Sequence, residues 1–133
     1  MVQVHRIKAD VCVNESVSLP HAPLCTTLSA MRMLMKIQIP VEKGNEVMKN
    51  GTLGATMQSI LGSQKPEAAY FTTNHGNRGG FLVVDMNDVS EMAKFAEPWF
   101  LAFNASVNFS PVMTPEDLGK AGSSIDEAVK KYA

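Results

Sequence analysis

The sequence predicts an α+β domain in which four antiparallel strands form one sheet and the helices cover one of its faces. Three observations lead to this prediction. Apolar residues alternate in four short segments, they recur at helical spacing between those segments, and the elements follow the order strand, helix, strand, strand, helix, strand, helix. A split βαβ arrangement fits this order, and right-handed crossovers then give the strand order 4-1-3-2.

The first strand and the first helical region lie between residues 32 and 62. Apolar and polar residues alternate over residues 32–39, as expected of a half-buried strand. Helical spacing follows over residues 44–62, and Gly51 and Gly54 divide it into two pieces because glycine weakens a helix. Gly62 is expected to end the second piece.

A hairpin is predicted next, with strands over residues 67–73 and 79–86. The turn over residues 74–77 supplies Gly and Asn where positive φ is needed. Pairing Thr73 with Arg78 sets the register of the two strands. This register separates a helix-side face from an open face.

The second half of the chain supplies a helix, a strand and a helical C-terminus. The helix is capped at Asn87-Asp88 and reaches Phe103, with a kink or break near Glu97 because Pro98 lies inside it. Its predicted buried face is Val89, Met92, Ala93, Ala96, Phe100 and Phe103. The last strand covers residues 105–112, Thr114 caps the helical segment that follows, and a final helix carries Ile125, Ala128, Val129 and Tyr132 on one side.

Composition and charge limit the possible functions. The chain has 133 residues, 45% of them hydrophobic and 19% charged, with a formal net charge of -1. Without a basic field, we expect neither nucleic acid nor a membrane surface as a partner. Both cysteines, Cys12 and Cys25, lie before residue 30, which favours a reducing, cytoplasmic setting. Neither a metal nor a cofactor is predicted, because no zinc spacing and no phosphate-binding loop is present.

Residues 1–30 differ from the rest of the chain. Pro20 and Pro23 stand in a polar setting after a short alternating stretch. This segment is interpreted as a poorly ordered extension or a misplaced translation start, with one edge strand as the alternative. The domain is therefore expected over residues 31–133.

The open face of the predicted sheet is the expected place of any function. It mixes apolar and polar side chains, which predicts a homodimer in which two copies pack face to face. The alternative is that scattered apolar residues simply lie on a solvated sheet. The residues on this face are Arg32, Leu34, Lys36, Gln38, Tyr70, Thr72, Phe81, Val83, Asp85, Ser106, Asn108 and Ser110.

Four polar residues of that face form the candidate pocket. Lys36, Tyr70, Asp85 and Asn108 could line a cavity that holds a carboxylate or a phenol. The other interpretation is a cross-strand ion pair with hydrogen bonds at a dimer interface.

Two residues of the hairpin turn join the candidate pocket at its mouth. His75 could shuttle protons there, and Arg78 lies three residues further along the chain. Polar residues are, however, also expected in a turn for solubility alone.

The runs MKIQIPVEKGN, GTLGATMQSIL, KPEAAYF, GFLVVDM, EPWFLAFNA and PVMTPEDLGKAG resemble a small bacterial family of uncharacterised proteins of about 100 residues. The resemblance covers nearly the whole of residues 31–133. It implies a ferredoxin-like fold of the dimeric α+β barrel kind. Members are sometimes labelled pantothenate synthetase, but this chain lacks the nucleotide-binding domain and the HIGH-like motif that such an enzyme would need.

Two hypotheses of function follow. In the first, a homodimer binds a small organic molecule and could carry out cofactor-free acid/base or oxygenation chemistry on it. In the second, the protein is a noncatalytic interaction or stress-associated module whose open face is an interface. Ligation of pantoate, as the family label suggests, is a third option that no motif supports.

Overall fold

The computed structural model describes residues 30–133. The predicted extension over residues 1–30 therefore lies, apart from Ala30, outside the described residues. The elements are β1 (Met31–Ile39), α1 (Val41–Lys49), α2 (Leu53–Gln64), β2 (Ala68–Asn74), β3 (Asn77–Met86), α3 (Glu91–Phe103), β4 (Ser106–Pro111), α4 (Pro115–Lys120) and α5 (Gly122–Tyr132).

The four strands form one antiparallel sheet in the order β2-β3-β1-β4. This confirms the predicted strand order and an α+β fold of ferredoxin-like character. The predicted hairpin register is also confirmed, since Thr73 pairs with Arg78 and Tyr70 with Phe81. None of the helices in residues 30–133 has the length and apolar content needed to cross a bilayer.

The core lies between the helix-side face of the sheet and helices α1 to α3. Every second residue of β1 is buried there, from Met33 to Ile39. Leu82 and Val84 of β3 lie beside them, and Trp99 and Phe103 of α3 pack above. The alternation that predicted β1 therefore arises because only one face of the strand is covered by helices.

The first helical region begins earlier and ends later than predicted. Helix α1 starts at Val41, where the Gly44 amide donates to the Pro40 carbonyl at 2.8 Å. The prediction that Gly62 ends α2 was wrong, because Gln64 is the last residue of the helix. Lys65 caps this end with a left-handed backbone, at a φ of +46°. The buried Gln64 side chain donates to the Phe95 carbonyl at 2.8 Å, which fixes the last turn of α2 against α3.

The buried face of α3 agrees with the predicted one only at Ala96 and Phe103. Its buried residues are Phe95, Ala96, Trp99 and Phe103. Val89, Met92 and Phe100, by contrast, are exposed. Of the kink or break predicted near Glu97, the break was wrong, because α3 runs on through Pro98. Buried residues on both sides of Pro98 contact the same core, so packing offsets the missing backbone hydrogen bond.

The two helices that follow β4, α4 and α5, differ in how they are stabilised. Thr114 begins α4 with a capping box, in which its side chain accepts from the Asp117 amide and the Asp117 carboxylate accepts from the Thr114 amide. This confirms the predicted helix start. Helix α5 has no buried residue, and Ile125, Val129 and Tyr132 are exposed along one side of it.

Candidate functional site

The sheet carries a gap on its helix side near the hairpin. Phe71, Gly80, Ile37 and Val107 form one row across the four strands. Neighbours two residues along the strands bury large side chains on this face, but Gly80 contributes none. A Cβ atom at Gly80 would lie 2.6 Å from the Tyr70 carbonyl oxygen, so the backbone geometry itself requires glycine there.

Gly79 is restricted in the same way. A Cβ atom at this position would collide with the carbonyl oxygen of Ile37 on the neighbouring strand. Because successive strand residues face opposite sides, Gly80 is the residue that leaves space on the helix-side face, while Gly79 allows β3 to approach β1 closely.

A cavity of about 470 Å³ occupies this space. Helix α2 forms one wall with Leu53 and Met57, and Trp99 of α3 closes the inner end. Exposed residues stand at the mouth, among them Phe71, which is 55% exposed because β2 is an edge strand. The lining is Ile37, Ile39, Leu53, Gly54, Met57, Phe71, Thr72, Thr73, Arg78, Gly79, Gly80 and Trp99.

A hydrogen-bond chain holds Trp99 in place. Its indole Nε1 donates to Gln64 Oε1 at 3.1 Å, and Gln64 Nε2 donates to the Phe95 carbonyl. Because the indole N–H is satisfied by Gln64, Trp99 offers only apolar ring surface to the cavity.

Arg78 is the one charged residue in the lining formed by residues 30–133. Its Nη1 donates to Asn45 Oδ1 at 2.9 Å. Gly44 makes room for the guanidinium, because a Cβ atom there would lie 2.8 Å from Nη1. A cation thus stands at the rim of an otherwise apolar cavity.

The predicted pocket residues lie on the opposite face of the sheet. Tyr70, Phe81, Lys36 and Asn108 form one row across the strands, so three of the predicted residues do share a line. Asp85 pairs instead with Arg32, four residues along β3 from Phe81. At about 3.4 Å per residue this is roughly 14 Å from the row. Of the six predicted residues, only Arg78 lines the cavity.

Asp85 belongs to a charged cluster at one end of the open face. Arg32 donates from Nε to Glu67 Oε2 at 2.9 Å and from a terminal nitrogen to Oε1 at 3.2 Å. These hydrogen bonds and the charge of Glu67 raise the pKa of Arg32, with smaller contributions from Asp85 and Asp117. The cluster pairs charges across strands.

His75 lies in the hairpin turn with a backbone role. The turn closes with Asn74 opposite Asn77, and the positive φ values fall on His75 (+48°) and Gly76 (+78°). Two successive positive φ angles are typical of a type I′ turn. The predicted placement of positive φ at Asn was wrong by one residue, and the exposed His75 side chain does not line the cavity.

Sequence reasoning missed the cavity because its lining comes from five separate elements. One feature could have indicated it. Gly79 and Gly80 stand together inside a strand, Gly80 on a helix-side face whose other residues are large, and glycine within a strand often marks a close backbone approach. Within residues 30–133 no three His, Cys, Asp or Glu residues are placed to hold a metal ion.

Fold and site together define a small α+β protein with an antiparallel sheet and an apolar cavity between hairpin and helices. The chain belongs to a family described as a domain of unknown function, DUF3303, which matches residues 31–126. The searches against curated proteins and against solved structures found no match.

Proposed function

We propose that the protein binds a small, largely apolar organic molecule in the cavity between the hairpin and α2. The observation that carries the proposal is the cavity itself, about 470 Å³ with a predominantly apolar lining and a few polar groups at its mouth. Small-molecule sites are typically of roughly 300–1,000 Å³ and have this kind of lining.

The lining favours binding over acid/base catalysis. Within residues 30–133 the only ionisable group that lines the cavity is Arg78, and a guanidinium keeps its proton at any physiological pH. Carboxylates, histidine and lysine, the usual proton-transfer groups, lie elsewhere. Catalysis by oxygenation remains a form of the proposal that a turnover assay with a bound ligand would test.

The cavity can be blocked at its mouth without disturbing the core. Gly54 lines the cavity, and a Cβ atom there meets nothing within 4 Å. Gly54→Leu should therefore fill the mouth and abolish binding of the neutral probe N-phenyl-1-naphthylamine, measured by energy transfer from Trp99, the only tryptophan. The control is Gly62→Leu, in the same helix, also in open space and outside the lining.

Unchanged probe binding in Gly54→Leu, with both variants folded by near-UV circular dichroism, would contradict the proposal. Loss of binding in the Gly62→Leu control would contradict it as well. Both changes remove a helical glycine, so they alter helix propensity alike.

A homodimer through the open face is a second part of the proposal. The face combines half-buried Leu34 and Val83 with the cation Arg32 and the anion Glu67. A face that carries both signs of charge can pair with a second copy of itself about a twofold axis. If no ligand binds the cavity, this interface would instead support the noncatalytic interaction module.

Light scattering coupled to size exclusion tests the dimer. Leu34→Lys should convert a species of twice the chain mass into a monomer. Leu101→Lys should leave the dimer intact, since Leu101 is 79% exposed on α3, away from the open face. A monomeric wild-type protein at high concentration would overturn this part.

The pantothenate synthetase label rests on the resemblance alone. The cavity lining of residues 30–133 has a single cation and no glycine-rich loop at a helix N-terminus, which is the usual site for nucleotide phosphates. We expect no product from ATP, pantoate and β-alanine, and product formation would support the label. The cytoplasmic setting likewise stays a prediction from the positions of Cys12 and Cys25.

A further inference from the structure

We infer that the ligand is an organic monoanion with an apolar body, such as a monocarboxylic acid, whose acidic group binds Arg78 at the mouth of the cavity. This inference rests on the proposed function and specifies its ligand class. It depends on the pairing of Arg78, on the lack of polar groups at the inner end, and on the charge of the lining.

The two arginines of the described chain are paired differently. Arg32 makes a two-point contact with a carboxylate, Glu67. Arg78 donates to the neutral amide oxygen of Asn45, and within residues 30–133 no carboxylate lies at ion-pair distance from it. A guanidinium has five N–H donors in a fork that matches a carboxylate. Arg78 is therefore a positioned cation with donors left for a ligand.

The cross-strand partner of Arg78 supports the same geometry. Thr73 faces Arg78 in the hairpin and also lines the cavity. A hydroxyl and a guanidinium on adjacent strands can both donate to one acidic group. Asn45 and Gly44 on α1 hold and accommodate the guanidinium from the other side.

The inner end of the cavity accepts only apolar atoms. Leu53 and Met57 form the α2 wall of the cavity, and at the inner end the indole N–H of Trp99 is engaged by Gln64. A polar group of the ligand at this end would lose its hydration without a new partner, which is costly. The ligand body should therefore be apolar, and flat rings would pack against the indole.

The charge of the lining limits the ligand to one negative charge. Arg78 balances one charge, and a dianion such as a phosphate monoester would leave a second charge over apolar residues. Two-charge ligands and nucleotides are therefore disfavoured relative to monocarboxylates and monosulfonates.

A pair of probes that differ only by a sulfonate group tests the inference. 8-Anilinonaphthalene-1-sulfonate and N-phenyl-1-naphthylamine share their rings, but only the first carries a sulfonate. Binding of each is measured by energy transfer from Trp99 in the wild type, Arg78→Gln, Arg78→Lys and Lys130→Gln. The last variant removes one positive charge from exposed α5, far from the lining.

Arg78→Gln should raise the Kd of the anionic probe about tenfold to a hundredfold, as expected for loss of a charge-assisted hydrogen bond. Arg78→Lys should recover part of the loss, and Lys130→Gln should change little. The neutral probe should bind all four proteins within about twofold, because its contacts are apolar.

Other outcomes separate the two proposals. If both probes bind and Gly54→Leu blocks both, but Arg78→Gln leaves the anionic probe unaffected, the ligand class is wrong while the cavity stands. If neither probe binds, or if Gly54→Leu leaves the binding of both probes unchanged, the proposed function fails and the ligand class fails with it. A loss of the same size in Lys130→Gln would show general charge attraction and overturn the role of Arg78.

Discussion

The two faces of the sheet differ in what they offer a ligand. The helix-side face has a concave space of about 470 Å³ but one ionisable residue in its described lining, Arg78. The open face has a lysine, a tyrosine and an ion pair between Arg32 and Glu67, and its residues Lys36, Tyr70 and Asp85 do not line the cavity. A concave site needs both shape and polar groups, and among the described residues the region around Arg78 combines them.

The first prediction tests how firmly the cavity depends on its inner wall. Trp99→Ala should lower the free energy of unfolding by about 3–5 kcal/mol, because it removes a ring that is 1% exposed and leaves a larger void. Leu101→Ala, at a residue 79% exposed in the same helix, is the control and should cost at most about 0.5 kcal/mol. Urea denaturation measures both, and equal effects would place Trp99 outside the core.

The second prediction concerns the glycines under the cavity. Gly80→Ala should destabilise the fold by about 1–3 kcal/mol, because the new Cβ atom would press on the Tyr70 carbonyl. Gly62→Ala should instead stabilise it by about 0.5–1 kcal/mol, since nothing lies within 4 Å and glycine weakens a helix interior. Thermal unfolding monitored by circular dichroism would show the opposite signs, and a neutral Gly80→Ala would refute the close strand contact.

The third prediction separates pH effects on stability from effects on the cavity. Hydrogen bonds from the Thr114 amide and hydroxyl lower the pKa of Asp117 below its ordinary value of 3.8. A depressed carboxyl pKa stabilises the fold above the unfolded-state value, and this stability is lost as pH falls through the folded-state value. Asp117→Asn should therefore reduce the decrease in the free energy of unfolding at acid pH, that is, flatten the acid limb of its pH profile.

Binding in the cavity should not follow that acid limb. Because its described lining has no group that titrates between about pH 5 and 8, the Kd of the neutral probe should stay constant over this range in both the wild type and Asp117→Asn. A bell-shaped pH profile of probe binding would point back to the histidine or the carboxylates outside the lining.

The fourth prediction concerns the cap of α4, which lies outside the cavity. Thr114→Ala removes the hydroxyl that accepts from the Asp117 amide at 3.2 Å, so it should lower the free energy of unfolding by about 1 kcal/mol. Probe affinity should not change. A combined loss of stability and affinity would mean that α4 supports the cavity.

The smallest expected effect is at the turn. His75→Asn should raise the free energy of unfolding by less than about 1 kcal/mol, because Asn followed by Gly suits a type I′ turn and tolerates the φ of +48°. It should leave probe binding unchanged. A weaker probe affinity in this variant would return His75 to the candidate site.

Local patterns predicted the sheet well, because apolar and polar residues alternate in a strand that has one face covered. The register of Thr73 opposite Arg78 followed from the turn alone. The buried face of α3 did not follow from local sequence, since several stripes of apolar residues fit the helix. The contact between Gln64 and Trp99 determines which stripe is buried. That contact joins residues 35 apart in sequence.

The candidate site was less predictable than the fold for a related reason. Polar residues on the open face can be placed from strand parity, so Lys36 and Asn108 were correctly put beside each other. A cavity is an absence of side chains between elements, and Leu53, Met57 and Trp99 indicate it only once their packing is known.

The most direct test of the central claim is a titration of the labelled protein with the anionic probe, followed by amide and indole chemical shifts. We predict saturable shifts at the cavity, namely at Gly54, Thr73, Gly80 and the Trp99 indole, while Lys36, Asp85 and Asn108 stay unchanged. Shifts confined to the row Tyr70–Phe81–Lys36–Asn108 would contradict the account and place the binding site on the open face.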